Sequence, residues 1–304
     1  MERPRLPALG ELRHGVRGDG EADAGDAETR DVGSGGGERA VDSLMNICVI
    51  IPAAGASRRY GSDKLTQDLG GRSLLLRTVE LFTKRDEVRS IIVAAPPDGM
   101  DEFTGRYGAT LGFHGVRIVP GGRIERWETV RNALTAISDD STHVAIHDAA
   151  RPATPPEVLD RVFEAAHKFD AVIPALPIHA TVKRLGDAAE SAVEADPIAD
   201  LILGERAGST ATARPVQETV DRTNLVTVQT PQVFALPLLR RAYAQASLEG
   251  VTDDAQVVER AGERVMAVEG DPRNIKVTTP ADLALVRAIL GLAPPSERPV
   301  HKRF

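Results

Sequence analysis

From residue 47 onward, short apolar runs alternate with segments whose apolar positions recur every three or four residues. Runs of the first kind read as strands buried on both faces, and segments of the second kind as helices that cover them. The alternation predicts an α/β fold built on a mostly parallel sheet with helices on both faces. The expected strands are 47–51, 90–95, 116–119, 143–147, 171–175, 225–229, 264–269 and 275–277. Ser73 opens a helix in which Leu75, Val79 and Phe82 share one stripe. Thr154, Pro155, Pro156 and Glu157 open another, since a threonine with glutamate three residues later can form a capping box and proline suits the first turn. Thr252 and Gly262 bracket a helix through Val257 and Val258, and a last helix runs over 280–290.

Three segments break this rhythm. Residues 178–222 are long, polar and rich in small side chains, with no clear helix or strand period, so they read as an excursion from the sheet. Residues 1–44 contain no aromatic side chain, mix Arg with Asp and Glu, and include the run Gly33-Ser34-Gly35-Gly36-Gly37. Such a composition buries too little apolar surface to offset the entropy of ordering, which predicts a disordered extension. The segment is too acidic for an organelle transit peptide, and a second reading starts translation at Met45. Residues 293–304 read as a loose tail after a single domain over 45–292. There is no internal repeat.

Of the 304 residues, 42% are hydrophobic and 27% charged, enough to bury one substantial core or two modest ones. The formal charge of -7 supplies no net basic field for nucleic acid, although a local basic cleft could hold a small phosphorylated molecule. Cys48 is the only cysteine and sits in an apolar strand, so it reads as inert packing, and the simplest compartment is a reducing cytoplasm. No apolar stretch approaches the roughly 20 residues needed to span a bilayer.

The segment from Pro52 to Lys64 follows the first strand directly, at the sheet edge where open parallel sheets bind ligands. Its small residues Ala53, Ala54 and Gly55 let backbone N–H groups approach phosphate oxygens, while Arg59 and Lys64 supply positive charge. Neither the G-x-G-x-x-G order of dinucleotide folds nor the G-x-x-x-x-G-K-[ST] order of P-loops is present, and a plain surface loop stays open on this segment alone. Asp148 should likewise emerge at the carboxyl edge of its strand, either as a functional carboxylate or as a turn cap. His143 and His147 share a strand face, but no cluster of further ligands accompanies them, so no metal site is assigned.

A strand ending in Pro52-Ala53-Ala54-Gly55, then Arg59 and Lys64, resembles the opening of sugar-phosphate nucleotidyltransferases. Later motifs narrow the resemblance to the methylerythritol phosphate cytidylyltransferase family. They are Gly121-Gly122 with Arg126 and Thr129, His147-Asp148-Ala149-Ala150-Arg151-Pro152, Thr181 with Lys183, Val220-Asp221-Arg222, Thr230-Pro231-Gln232, Thr252-Asp253-Asp254 and Asn274-Ile275-Lys276-Val277-Thr278. The match covers about 47–290.

The resemblance implies a Rossmann-like sheet with an extended arm at 178–222 that exchanges with a second subunit, hence a homodimer. It implies transfer of CMP from CTP to 2-C-methyl-D-erythritol 4-phosphate, with release of pyrophosphate, in non-mevalonate isoprenoid precursor synthesis. By the same resemblance, Arg59, Lys64 and Lys276 would hold the triphosphate, with Mg2+ bound mainly through the phosphates. Ala53, Ala54, Gly55, Gly121, Gly122 and Thr129 would surround the cytidine. Asp148, Arg151, Thr181, Arg222 and Thr230 would bind the methylerythritol phosphate. The chain departs from the family pattern at Ser57, Asp63, Leu65 and Ala180, where glycine, proline, glutamine and aspartate are usual, and it carries an insertion around 196–217 that reads as a mobile loop in preference to an enlarged arm.

Three other readings compete. The loop around Arg59 also resembles nucleotidyltransferases of the molybdenum cofactor, which leaves the motifs at Asp148 and Lys276 unexplained. Ribitol 5-phosphate cytidylyltransferases share most motifs. A catalytically silent nucleotide-binding protein would have no need of Arg59, Lys64 and Lys276.

Overall fold

The computed structural model describes residues 45–55, 64–138, 140–187, 190–191 and 212–293. Its organising element is β1 (Ile47–Pro52), whose first five side chains are entirely shielded from solvent. Five consecutive apolar residues can be buried only where both faces of a strand are covered, which puts β1 inside an eight-stranded sheet. It is flanked in parallel by β2 (Val88–Ala95) and β4 (His143–Ile146), and β3 (Arg117–Pro120) continues the parallel set beyond β2. On the other side of β4 the direction reverses. β11 (Gln232–Ala235) runs antiparallel between β4 and β5 (Ala171–Pro177). β5 also takes β10 (Val226–Val228) antiparallel on one edge and β12 (Met266–Glu269) parallel on the other, so that Ala175 pairs with Val228 and with Glu269.

Alternate side chains of a strand point to opposite faces, and β1 feeds two cores in this way. Ile47, Val49 and Ile51 join one cluster with α1 (Leu74–Glu80), α2 (Met100–Phe113), α4 (Pro156–Ala166) and α7 (Pro280–Ile289). Cys48 and Ile50 join the other with α3 (Arg126–Leu134), α5 (Leu236–Tyr243) and α6 (Asp254–Arg260). The expected mostly parallel sheet with helices on both faces is therefore present. No helix among the described residues is long and apolar enough to cross a membrane.

The local signals mostly hold. Ser73 is the N-cap of α1, its hydroxyl accepting from the Leu76 N–H at 3.2 Å, and Leu75, Val79 and Phe82 are buried as the stripe predicts. Four expectations are corrected. The capping box at Thr154 does not form: Pro155 is the N-cap of α4, and the Thr154 hydroxyl turns inward to Asn274 Oδ1 at 2.8 Å. The cap of α6 is Asp253, one residue beyond Thr252, accepting from the Gln256 N–H at 3.0 Å. Residues 275–277 form no strand, because the Val277 N–H donates to Ala150 O in a loop, at 2.8 Å, and not to a neighbouring strand.

The fourth correction concerns the excursion, which is partly strand. β6 (Val182–Leu185) pairs antiparallel with β9 (Val216–Val220), and the short β7 (Glu190–Ser191) with β8 (Thr212–Ala213). Most of the proposed insertion over 196–217, the extension over 1–44 and the tail beyond 293 lie outside the described residues.

Phe234, in the reversed strand β11, is among the largest fully buried side chains. Phe234→Ala should cost roughly 3–5 kcal/mol through lost burial and the cavity left behind. Denaturant unfolding monitored by circular dichroism measures this, and a loss under about 1 kcal/mol would mean that β11 is not a core strand.

Candidate active site

Two clefts open at the carboxyl edge of the parallel strands. The first, ≈ 530 Å³, is bounded by Pro52 to Gly55 at the end of β1, by Lys64, by the segment from Gly122 to Arg126 that leads into α3, and by Thr129. The second, ≈ 460 Å³, is bounded by Arg151, by Gln229, Thr230 and Gln232 at the junction of β10 and β11, and by Thr252, Asp253, Ala255 and Gln256 at the start of α6. Arg126, Asp148 and Lys276 line both. They form a shared wall where contents of the two clefts would meet.

The wall of the first cleft depends on close backbone approach. A Cβ on Gly122 would lie 2.3 Å from Glu128 Cβ and 2.8 Å from Thr129 N, and one on Gly121 would lie 2.7 Å from Ala54 Cβ. Only glycine lets the start of α3 sit this near the end of β1. The turn is then pinned from within: Glu128 accepts from the Ile124 and Glu125 N–H groups at 3.0 and 3.1 Å, and the Thr129 hydroxyl accepts from the Gly122 N–H at 3.0 Å. These backbone bonds hold the Glu128 carboxyl below its ordinary value.

Asp148 is nearly buried and surrounded by cations. Its Oδ2 lies 3.0 Å from Lys276 Nζ and 3.2 Å from Arg151 Nε, and its Oδ1 lies 3.7 Å from Arg126 Nε. Burial alone would raise its pKa, but Arg126, Lys276 and Arg151 outweigh that cost and keep the carboxyl well below the usual range. Arg151 is fixed in turn by donating to Asn274 O at 2.7 Å, and Lys64 Nζ donates to Val277 O at 3.1 Å. The loop 274–277 thus carries one cation and orients two more.

The structure gathers Ala53, Ala54, Gly55, Lys64, Gly122 and Thr129 around the first cleft, with Gly121 packed directly behind it. Asp148 and Lys276 stand on the shared wall, and Arg151 and Thr230 in the second cleft. Thr181 and Arg222 are not brought there: they flank β6 and β9, exposed, and line neither cleft. Arg59 lies outside the described residues, as do Ser57 and Asp63. Arg126, Gln229, Thr252, Asp254 and Asn274 carry no site assignment from the sequence, although all but Gln229 stand in the family motifs.

Beneath Asp148 lies a buried polar network centred on His147, which has no exposed surface. The Thr230 hydroxyl accepts from the Asp148 N–H at 3.1 Å and so directs its own proton to His147 Nδ1, 3.1 Å away. His147 Nε2 then carries the ring proton and donates to Arg151 O at 3.2 Å. Asn274 closes the ring by donating from Nδ2 to Thr230 O at 2.8 Å. Burial pushes the imidazole down to about 4, against an unfolded value near 6.5. Between those values the unfolded chain binds the extra proton, so stability is full above about pH 6.5 and falls as the pH drops toward 4. The loss should approach about 3 kcal/mol. Denaturant titrations at pH 7.5, 6, 5 and 4 on the wild type and His147→Asn test this, since only the wild type should carry that share of the slope.

Comparison with known proteins covers the segments that build both clefts. The sequence model described as 2-C-methyl-D-erythritol 4-phosphate cytidylyltransferase matches residues 47–196 and 185–292. The Saccharopolyspora erythraea protein of that name is 37% identical over 253 residues, which is 81% of this chain and 100% of the relative. The Frankia casuarinae protein is 38% identical over 266 residues, 86% of this chain and 88% of the relative. Among solved structures, the cytidylyltransferase from Thermus thermophilus is 30% identical with a TM-score of 0.58, covering 80% of this chain and 98% of that one. The 4-diphosphocytidyl-2C-methyl-D-erythritol synthase from Anaerococcus prevotii is 28% identical with a TM-score of 0.63, covering 82% and 100%. With its glycine-walled cleft, ionised Asp148 and Lys276 in the segments that match, the chain belongs to the 2-C-methyl-D-erythritol 4-phosphate cytidylyltransferase family.

Proposed function

We propose that the chain transfers CMP from CTP to 2-C-methyl-D-erythritol 4-phosphate in the non-mevalonate route to isoprenoid precursors, with CTP in the first cleft and the alcohol phosphate in the second. The observation that carries this reading is the shared wall of Arg126, Asp148 and Lys276 between two clefts. In the reaction, an oxygen of the methylerythritol phosphate forms a bond to the α-phosphorus of CTP. The bond from that phosphorus to the bridging oxygen breaks, and pyrophosphate leaves with the electron pair. Two anions must approach, so the chief demand on the protein is fixed positive charge at the point of meeting.

Lys276 is suited to this because Asp148 holds its ammonium at 3.0 Å while the side chain stays 40% exposed. Lys64 would meet the triphosphate from the β1 side, and Arg59 with it. The nucleophile is already an anion, so no general base is required, and Asp148 serves as an ionised anchor that can also accept hydrogen bonds from substrate hydroxyls. Arg151 and Thr230 would seat the alcohol phosphate.

Among the described residues lining the first cleft, the carboxylates are Glu125 and Asp148, and the latter is already engaged by three cations. That donor set fits Mg2+ carried on the phosphate oxygens as part of the substrate, where it offsets their charge. Thr181 and Arg222 would reach a site only across a dimer, through the β6–β9 arm. Leu185, Val216, Leu225, Val226 and Val228 on and beside that arm are 38–58% exposed, an apolar surface that a second copy would cover. A reducing cytoplasm accords with the single buried Cys48.

Pyrophosphate release should be rapid with CTP plus methylerythritol phosphate and slow with CTP plus ribitol 5-phosphate. The reverse preference would overturn the substrate, and no turnover with either would leave a silent nucleotide binder. Lys276→Ala should lower kcat by about 10²–10³-fold without changing the unfolding midpoint appreciably. Near-normal turnover would remove Lys276 from the site. For the arm, sedimentation should show a monomer when residues 182–220 are replaced by a short linker, and a persisting dimer would refute its role.

A further inference from the structure

We propose that Arg126 is a further positioning residue for the transfer, a charge shared by the two clefts and held in place by a buried anchor made of Asp254 and Tyr243. The proposal rests on the assignment of the clefts given above. Arg126 is the first residue of α3, directly after the glycine-walled turn of the first cleft. Asp254 is the first residue of α6, whose neighbours Asp253 and Ala255 line the second cleft. Arg126 Nη2 meets Asp254 Oδ2 at 2.7 Å, and Arg126 Nε faces Asp148 Oδ1 at 3.7 Å. One guanidinium therefore ties the wall of the nucleotide cleft to the wall of the second cleft while facing the carboxylate between them.

The anchor is built for this purpose more than for contact with a ligand. Asp254 has no exposed surface and lines neither cleft. Its other oxygen, Oδ1, accepts from Tyr243 Oη at 2.6 Å, and Tyr243 is itself buried at the end of α5. A carboxylate so enclosed needs its cation, and the guanidinium held there also faces Asp148 while it lines both clefts. Burial opposes the charge on Arg126, but Asp254 and then Asp148 more than offset it and raise the guanidinium above its ordinary value. Tyr243 is raised too, by burial first and then by Asp254, so it remains a hydrogen-bond donor.

A buried ion pair is weak evidence for stability, because apolar residues of similar volume often replace one without loss. That fact supplies the test. The positioning role predicts a loss of turnover even where the fold is intact; a mere staple between α3 and α6 does not. In the double variant Arg126→Met/Asp254→Leu the buried charges disappear together, and its thermal unfolding should lie close to wild type. Its kcat for pyrophosphate release from CTP and methylerythritol phosphate should still be about 10²-fold down, the scale of a misplacement near an ångström.

Tyr243→Phe, which leaves the ion pair and removes one hydrogen bond to it, should show a fall of a few-fold in kcat with smaller changes in either KM. Arg126→Lys keeps the charge but not the fork, and should lose about 10-fold. A folded double variant with wild-type kcat and both KM values unchanged would overturn the proposal. If that variant does not fold, undiminished kcat in Arg126→Lys would overturn it instead. Wild-type protein that releases no pyrophosphate from these substrates would sink the functional reading and this proposal together, whereas active wild type with an active double variant sinks this proposal alone.

Discussion

A carboxylate withdrawn from water must be neutralised, protonated or very well hydrogen-bonded, and Asp148 meets that constraint by drawing three cations toward one point. They come from separate parts of the chain: Arg126 from the start of α3, Arg151 from the turn after β4, and Lys276 from the loop after β12. Arg126 and Arg151 stand on either side of β4, and Lys276 comes from far along the chain. The parallel order of β1, β2, β4 and β5 brings their carboxyl ends to one edge, and the ion cluster then fixes how the loops at that edge stand. Remove the charge on Asp148 and the loop 274–277 loses the partner of its lysine, while Arg151 keeps only its backbone acceptor. The fold delivers the loops, but the buried charge sets their register.

This division explains what can be read from the chain alone. The central strands are legible because a strand covered on both faces is a run of apolar residues with few alternatives, as in Ile47 to Ile51. β11 escapes because it opens with Gln232, a residue that reads as polar loop, although it is 1% exposed. Its amide is satisfied by Asp253 Oδ2 at 2.7 Å and by the Ala255 N–H at 2.9 Å, partners more than twenty residues later that no local pattern can announce. The opposite error arises at 275–277, where Ile275 and Val277 alternate with Lys276 as a strand would. Their backbone bonds go to Arg273 and Ala150, within turns, so the alternation serves to present Lys276 and not to build a ladder.

The site shows the same limit at the level of side chains. Glycines 121 and 122 can be proposed from the resemblance alone, but their reason, a gap too narrow for a Cβ beside Glu128 and Thr129, is visible only in three dimensions. Thr154 reads as a cap by a sound local rule, but its hydroxyl donates to Asn274 instead, because a hydroxyl inside a closed polar network gains more there than at a helix end. Arg126 is one arginine among Arg123, Arg126 and Arg131. Arg123 pairs with Asp98 at the surface and Arg131 lies over the Trp127 ring, so only the fold distinguishes the one that faces Asp148.

The balance of charge at the shared wall narrows how the polyanion can be received. The whole chain carries a formal charge of -7, so attraction to a triphosphate cannot come from a net field and must be local, acting over less than the roughly 8 Å screening length of physiological salt. Locally, Asp254 already balances Arg126, and Asp148 balances one of Arg151 and Lys276. Among the described residues of the wall, the surplus is therefore about one positive charge. That surplus falls short of the charge on a triphosphate approached by a phosphate monoester. The difference is what a divalent cation borne by the nucleotide would supply, and where charge is scarce its placement decides the rate, since a displacement near an ångström can cost about 10²-fold.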